Sequence, residues 1–162
     1  MNLSTTRFGR IDVPLNAVLT FPSGLQGFPL LRRFVLLKTT ELGLFRWLQS
    51  ADVPSIACLV CNPRLVVHDY AIRVPARSLA DLHISSAEQA DLLVIVSNPN
   101  DRSLMSVDLQ RPIVLNRALR LARHLAPVDS AWSLAHRVFP DASVSSASPD
   151  LPAPSHPLSL SA

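Results

Sequence analysis

The sequence predicts a mainly β domain, an antiparallel β-barrel or sandwich of about nine short strands with a few short helices. Three observations lead there. Short apolar or β-branched runs recur along the chain, separated by Pro, Gly, Asn and Asp turn signals. Helical periodicity is brief, so the strand–helix–strand alternation of parallel sheets is missing. Three of the four glycines and five of the nine aromatic side chains lie between Phe21 and Ser50, where a glycine-turned loop feeds two aromatic strands.

Residues 5–13 (TTRFGRIDV) alternate loosely and read as a first strand, closed by Pro14. Val18 to Phe21 is a second. Phe21-Pro22, Gly24, Gly27 and Phe28-Pro29 then force a tight loop, because glycine permits positive φ and proline fixes φ at about −65°. Arg33 to Leu37 and Phe45 to Ser50 are the next strands, with Gly43 in the turn between them. A period of two puts Phe45 and Trp47 on one face, so Trp47 is expected in the core rather than on a ligand platform. Ile56 to Cys61 is apolar on both faces, as a strand buried on both sides is, and Asn62-Pro63 ends it.

Leu65 to His68 and Tyr70 to Val74 read as another extended pair, stopped by Pro75. Leu79 to Leu82 and Ser85 to Ala90 read as short helical turns, the second with Ser85 or Ser86 as N-cap ahead of Glu88 and Gln89. Asp91 to Val96 is a β-branched strand ended by Asn98-Pro99-Asn100-Asp101. Met105 to Leu109 and Ile113 to Leu115 complete the set, and Pro112 argues for an edge or a bend. From 115 to 125, Leu115, Ala118, Leu119, Ala122 and Leu125 fall on one helical face, and Ala, Leu and Arg are good helix formers. The residues themselves therefore favour helix there.

At 162 residues and 48% hydrophobic, the chain has the length and apolar content of one domain. Its boundary is expected near 140. Residues 141–162 hold seven Ser, four Pro and four Ala with no Lys, Arg or aromatic, and are predicted to be a disordered tail. The longest unbroken apolar run, Ile56 to Cys61, is six residues, where a membrane helix needs about 20. MNLSTTRFGR holds no apolar signal core, so a cytoplasmic protein without membrane contact is expected.

Chemistry is constrained more by what is missing. Cys58 and Cys61 form one C-x-x-C pair without a second, and positions three apart in a strand point to opposite faces. They are expected as buried small hydrophobes, with no metal and no cofactor. No G-x-S-x-G or H-E-x-x-H occurs, and no G-K-[ST] follows the glycine loop. His68 and His124 have no partner at ligand spacing, so no catalytic residue is assigned. Formal charge is +3, from 14 Arg, one Lys and 12 acids. Between 111 and 137 five Arg (111, 117, 120, 123, 137) stand against Asp129 alone, a basic stretch that raises a nucleic-acid reading without any RNA-binding signature to support it.

One stretch carries a family resemblance. Phe21, Pro22, Gly24, Gly27, Phe28, then Arg33, Phe34, Leu36, then Phe45, Trp47, Leu48, Gln49, Ser50 reproduce the pattern FP-x-G-x-x-GF … RF-x-L … F-x-WLQS of the flagellar assembly factor FliW family. Pro63, Asp69 and Tyr70 continue the likeness, as do Leu109, Pro112, Ile113 and Asn116, with Asp108 where the family has asparagine and Arg111 where it has alanine. Beyond Asn116 the match decays: Ala122-Arg123-His124 stands at the family's Gly-Arg-Gln turn, and Trp132 and Ala135-His136-Arg137 at its closing residues. The resemblance implies a β-hairpin where the residues favour helix. It also implies a cytoplasmic, non-catalytic protein that binds the translational repressor CsrA, releasing flagellin message, and that binds flagellin, which competes for it. Free of partners, the protein is expected to be monomeric, with no direct contact to nucleic acid. The matched positions Phe28, Arg33, Gln49, Pro63, Tyr70 and Asn116 become candidate partner-binding residues. The competing class is a small β-barrel ligand-binding protein or enzyme, which needs polar groups converging in a cavity.

Overall fold

The computed structural model describes residues 1–39, 43–126 and 131–140, so the predicted tail at 141–162 lies outside the described residues. The strands are β1 (Asn2–Thr5), β2 (Gly9–Asp12), β3 (Val18–Thr20), β4 (Arg33–Lys38), β5 (Phe45–Ser50), β6 (Ala57–Cys61), β7 (Ala90–Ser97), β8 (Ser106–Val107), β9 (Ile113–Asn116), β10 (Leu121–His124) and β11 (His136–Arg137), with one short helix α1 (Ala76–Asp81). The sheet runs β11-β8-β7-β6-β5-β4-β3-β10-β9, and β9 pairs back onto β7, which closes seven strands into a barrel. Its eight-residue strand β7 makes closure possible. Ala90 to Leu93 pair with β9, Val94 and Ile95 with β6, and Val96 and Ser97 with β8. All pairings are antiparallel except β3 with β10. The predicted mainly β fold is thus a closed barrel with one parallel seam.

Two-residue alternation sorts the side chains onto two faces. Leu19, Phe34, Leu36, Leu48, Val60, Leu93, Ile113, Leu115 and Ala122, one or more from each of the seven strands, fill the barrel together with Phe21 and Leu25. The alternate residues Val35, Leu37, Phe45, Trp47, Leu59, Cys61, Val94 and Val96 form a second core on the outer face, covered by Leu3 and Val13, by Tyr70 and by Met105 and Leu109. Trp47 is buried there beside Phe45, edge-on to Phe8 with centroids 5.9 Å apart and under the Arg7 guanidinium at 4.2 Å. Cys61 joins this outer core while Cys58 packs towards the barrel interior, so the two thiols diverge as strand geometry requires. Burial pushes both thiols up, Cys61 to about 12.

Several elements differ from the sequence reading. Residues 5–13 are not one strand: β1 and β2 form a hairpin that reverses around Thr6–Phe8, with Gly9 at φ +67. Leu65–His68 and Tyr70–Val74 are not strands either. A 3-10 turn at Pro63–Leu65 leads into irregular chain, because the buried Tyr70 must reach across to donate its hydroxyl to the Leu109 carbonyl at 2.7 Å. The helix favoured over 115–125 is a β-hairpin, β9 with β10, as the family resemblance implies. Its turn is made by Arg120 at φ +56 and by the Asn116 carboxamide, which accepts the Leu119 N–H at 3.1 Å. Leu115 and Ala122 suit a helical stripe and a strand face equally. Pairing with β9 and with Thr20, whose N–H donates to the Arg120 carbonyl at 2.8 Å, decides for strand. Pro112 precedes a strand flanked on both sides by β10 and β7, so it marks a start rather than an edge.

Candidate protein-binding surface

After β3 the chain builds the glycine loop from its own backbone. Gly24 N–H donates to Phe21 O (2.9 Å), Phe28 N–H to Leu25 O (2.7 Å) and Leu31 N–H to Phe28 O (3.1 Å), and Phe21 N–H to Arg32 O (2.7 Å) closes the base. Gly24 sits at φ +73, and a Cβ there would lie 2.3 Å from the Pro29 carbonyl oxygen, so glycine is required twice over. Phe21 and Leu25 are buried in the barrel core and anchor the loop. Phe28 and Leu30 are 40% and 85% exposed and form its displayed apolar edge.

Two side chains from elsewhere hold this loop. Asp52 accepts the N–H groups of Arg32 and Arg33 on Oδ2 (3.2 and 3.1 Å) and Arg33 Nε on Oδ1 (2.7 Å). Burial pushes the Asp52 carboxyl up, but these hydrogen bonds, the Arg33 side chain first, outweigh it and hold the group below its usual range. On the other side His124 Nδ1 accepts the Gln26 N–H at 3.3 Å, which assigns the ring proton to Nε2 and lets it donate to the Arg111 carbonyl at 2.9 Å. Burial depresses the His124 imidazole pKa, and the Arg111 carbonyl works against that. A groove of about 630 Å³ opens beside the loop, lined by Gln26, Gly27, Arg73, Ser78, Arg123 and His124 among others.

Of the six candidate residues, Phe28 and Arg33 lie on this loop and its exit strand with exposed side chains. Pro63 is buried in its 3-10 turn. Gln49 is fully buried, and its Nε2 donates to the carbonyls of Ser50 (3.0 Å), Pro54 (3.2 Å) and Ile56 (3.0 Å), which shapes the 50–56 loop that carries Asp52. Among the described residues its Oε1 has no hydrogen-bond partner. Tyr70 is buried against Trp132 with centroids 4.9 Å apart. Asn116 is buried and donates to Leu82 O at 2.9 Å and His83 O at 3.3 Å. The fold therefore brings Phe28, Arg33 and Gln49 to one region and leaves Pro63, Tyr70 and Asn116 as internal struts.

The basic stretch changes character in three dimensions. Arg111 pairs with Asp108 at 2.6 Å, Arg117 with Asp91 at 2.7 Å and Arg123 with Asp81. Asp52, Asp81 and Asp91 are ion-pair partners, of Arg33, Arg123 and Arg117, that sequence reasoning missed; only Asp108, three residues before Arg111, left a local signal. Among the described residues no three His, Cys, Asp or Glu side chains converge to hold a metal ion.

The FliW protein family model matches residues 2–138. The chain belongs to the FliW family. Flagellar assembly factor FliW of Bdellovibrio bacteriovorus is 35% identical over 139 residues, covering 86% of this chain and 79% of that protein. Its namesake in Geobacter sulfurreducens is 35% identical over 147 residues, covering 91% and 92%. A crystal structure of the flagellar assembly factor FliW matches with TM-score 0.78 at 27% identity, covering 88% of this chain and all of that one. The FliW match takes in the glycine loop, the seven barrel strands and the outer core, and stops just short of the composition break at Asp141.

Proposed function

We propose that this FliW-family protein is a cytoplasmic, non-catalytic regulator that binds CsrA, relieving its repression of flagellin translation, and binds flagellin in a chaperone-like way. The observation that carries the reading is family membership across the whole described domain. Three further features support it. The barrel interior is filled by side chains rather than open to a ligand. The glycine loop presents Phe28 and Leu30 from a braced backbone, and preorganised apolar anchors suit a protein partner. Three of the five arginines between 111 and 137 are already paired with aspartates, which favours a protein partner over phosphate.

The test is a gel shift of CsrA–RNA with this protein titrated in, run beside this protein with RNA alone, and a pull-down of flagellin. Loss of the CsrA–RNA band with no band from this protein alone is the expected result. A complex with RNA alone that weakens steeply with salt, and that disappears when Arg117, Arg120 and Arg123 become Ala, would overturn it.

A further inference from the structure

Lys38 and Arg46 stand directly opposite each other across β4 and β5. The neighbouring pair on the same face, Leu36 with Leu48, points into the barrel, so the two cations occupy the next inward position at the barrel's end. Arg46 is also registered with Val60, which pairs with Ile95, and both belong to the barrel interior. Two residues before Leu93, Asp91 occupies the same inward face at the same end, registered with Leu115. It takes the Arg117 guanidinium through Nε at 2.8 Å and Nη2 at 2.7 Å.

Like charges directly opposite in a sheet repel, and fold stability alone gives no reason to place them there. Among the described residues neither Lys38 nor Arg46 has an acidic partner, since the one acid here is engaged by Arg117. The chain between them carries Glu41, which lies outside the described residues. A cavity of about 210 Å³ opens at this mouth, lined by Arg46, Asn62, Asp91 and Arg117. Its rim includes Leu44 and Leu65, which are 56% and 51% exposed.

We propose that this barrel mouth is a docking site for an acidic–apolar segment of a partner protein. One Asp or Glu carboxylate of the segment enters the cavity against Arg46, with Lys38 opposite it on β4, and an apolar neighbour covers Leu44 and Leu65. A carboxylate supplies the charge that the cross-strand pair lacks among the described residues, and a guanidinium with an ammonium binds it by charge-assisted hydrogen bonds. The cavity has room for a side chain but not for a helix. This inference rests on the protein-binding reading above and adds a second contact, separate from the glycine loop.

The test has two arms. In the first, the full chain labelled with ¹⁵N is titrated with the capped peptide Leu-Glu-Leu and with capped Leu-Gln-Leu. The expected result is that the Glu peptide shifts the Leu44, Arg46, Asn62 and Leu65 signals, while the Gln peptide does not. Equal shifts from both peptides, no shifts, or shifts confined to another surface would overturn the proposal. In the second arm, Arg46→Gln and Lys38→Gln are compared with wild type for binding CsrA and flagellin. Relief of repulsion should leave their melting temperatures at or above the wild-type value, while binding of at least one partner weakens by roughly tenfold. Unchanged binding of both partners by a folded Arg46→Gln protein would also overturn it. Should wild type bind neither partner, the regulator reading fails, while the peptide titration still decides the mouth.

Discussion

The backbone N–H of Gln26 donates to Nδ1 of His124, a residue 98 positions further along the chain. This bond ties the glycine loop to the β9–β10 hairpin, and it exists only while Nδ1 carries no proton. Burial already lowers the His124 pKa below its usual 6.5, so the folded state prefers the neutral ring. The unfolded chain then binds the proton first as pH falls. The contribution of His124 is complete above pH 6.5 and is lost as pH drops from there through the lowered folded value. Melting temperature measured against pH should decline over that window more steeply in wild type than in His124→Gln. Parallel profiles would show that the bond carries no weight.

Asp52 has its own, lower window. Its folded pKa is below 3.8, so its stabilising contacts persist above that value and are lost as pH falls through the lowered one. Replacing Asp52 by Ala releases the Arg32 and Arg33 N–H groups together with the Arg33 guanidinium. The acid limb of the stability profile should flatten, and the glycine-loop amides should exchange with solvent faster than in wild type. Unaltered amide exchange would show that the loop does not need this brace.

The two loop glycines should respond differently to alanine. Gly27 lies at φ +87 with open space around the missing Cβ, so Gly27→Ala should cost about 1–2 kcal/mol of backbone strain. Gly24→Ala meets the same kind of strain plus the Pro29 carbonyl at 2.3 Å, so the whole loop must move. Denaturant unfolding of the two variants should place Gly24→Ala clearly lower. Equal losses would mean that the close approach of Pro29 is easily relaxed.

Trp47 belongs to the outer core with Phe45, Leu59 and Phe8, so truncation to Ala should open a cavity that costs about 3–5 kcal/mol. The measurement is again the denaturant midpoint. A variant that folds normally yet loses partner binding would move Trp47 from the core to an interface.

Deleting residues 141–162 should leave the melting temperature within roughly a few degrees of the full chain, because the Ser/Pro/Ala composition offers little apolar area to bury. A fall of about ten degrees or more would mean that the segment is docked.

Much of the barrel is legible in the sequence alone. Alternation and turn residues marked β3 to β7, and the pattern of Phe21 to Ser50 carried both the glycine loop and the family. Strand parity separated Cys58 from Cys61 and joined Phe45 to Trp47. These are local properties, set by φ preferences and a period of two, and a single sequence contains them. The 115–125 segment was not legible, because Leu115 and Ala122 satisfy helical and strand spacing alike and only pairing partners break the tie. Closure of β9 onto β7, the parallel seam of β10 on β3 and the burial of Gln49, Tyr70 and Asn116 were decided by tertiary structure. So was the charge pattern. Arg117 finds Asp91 across 26 residues and Arg123 finds Asp81 across 42, while Lys38 and Arg46 face each other with no acidic partner among the described residues. Coulomb interactions act through space, so a run of arginines in sequence fixes neither their partners nor their net field until the chain has folded.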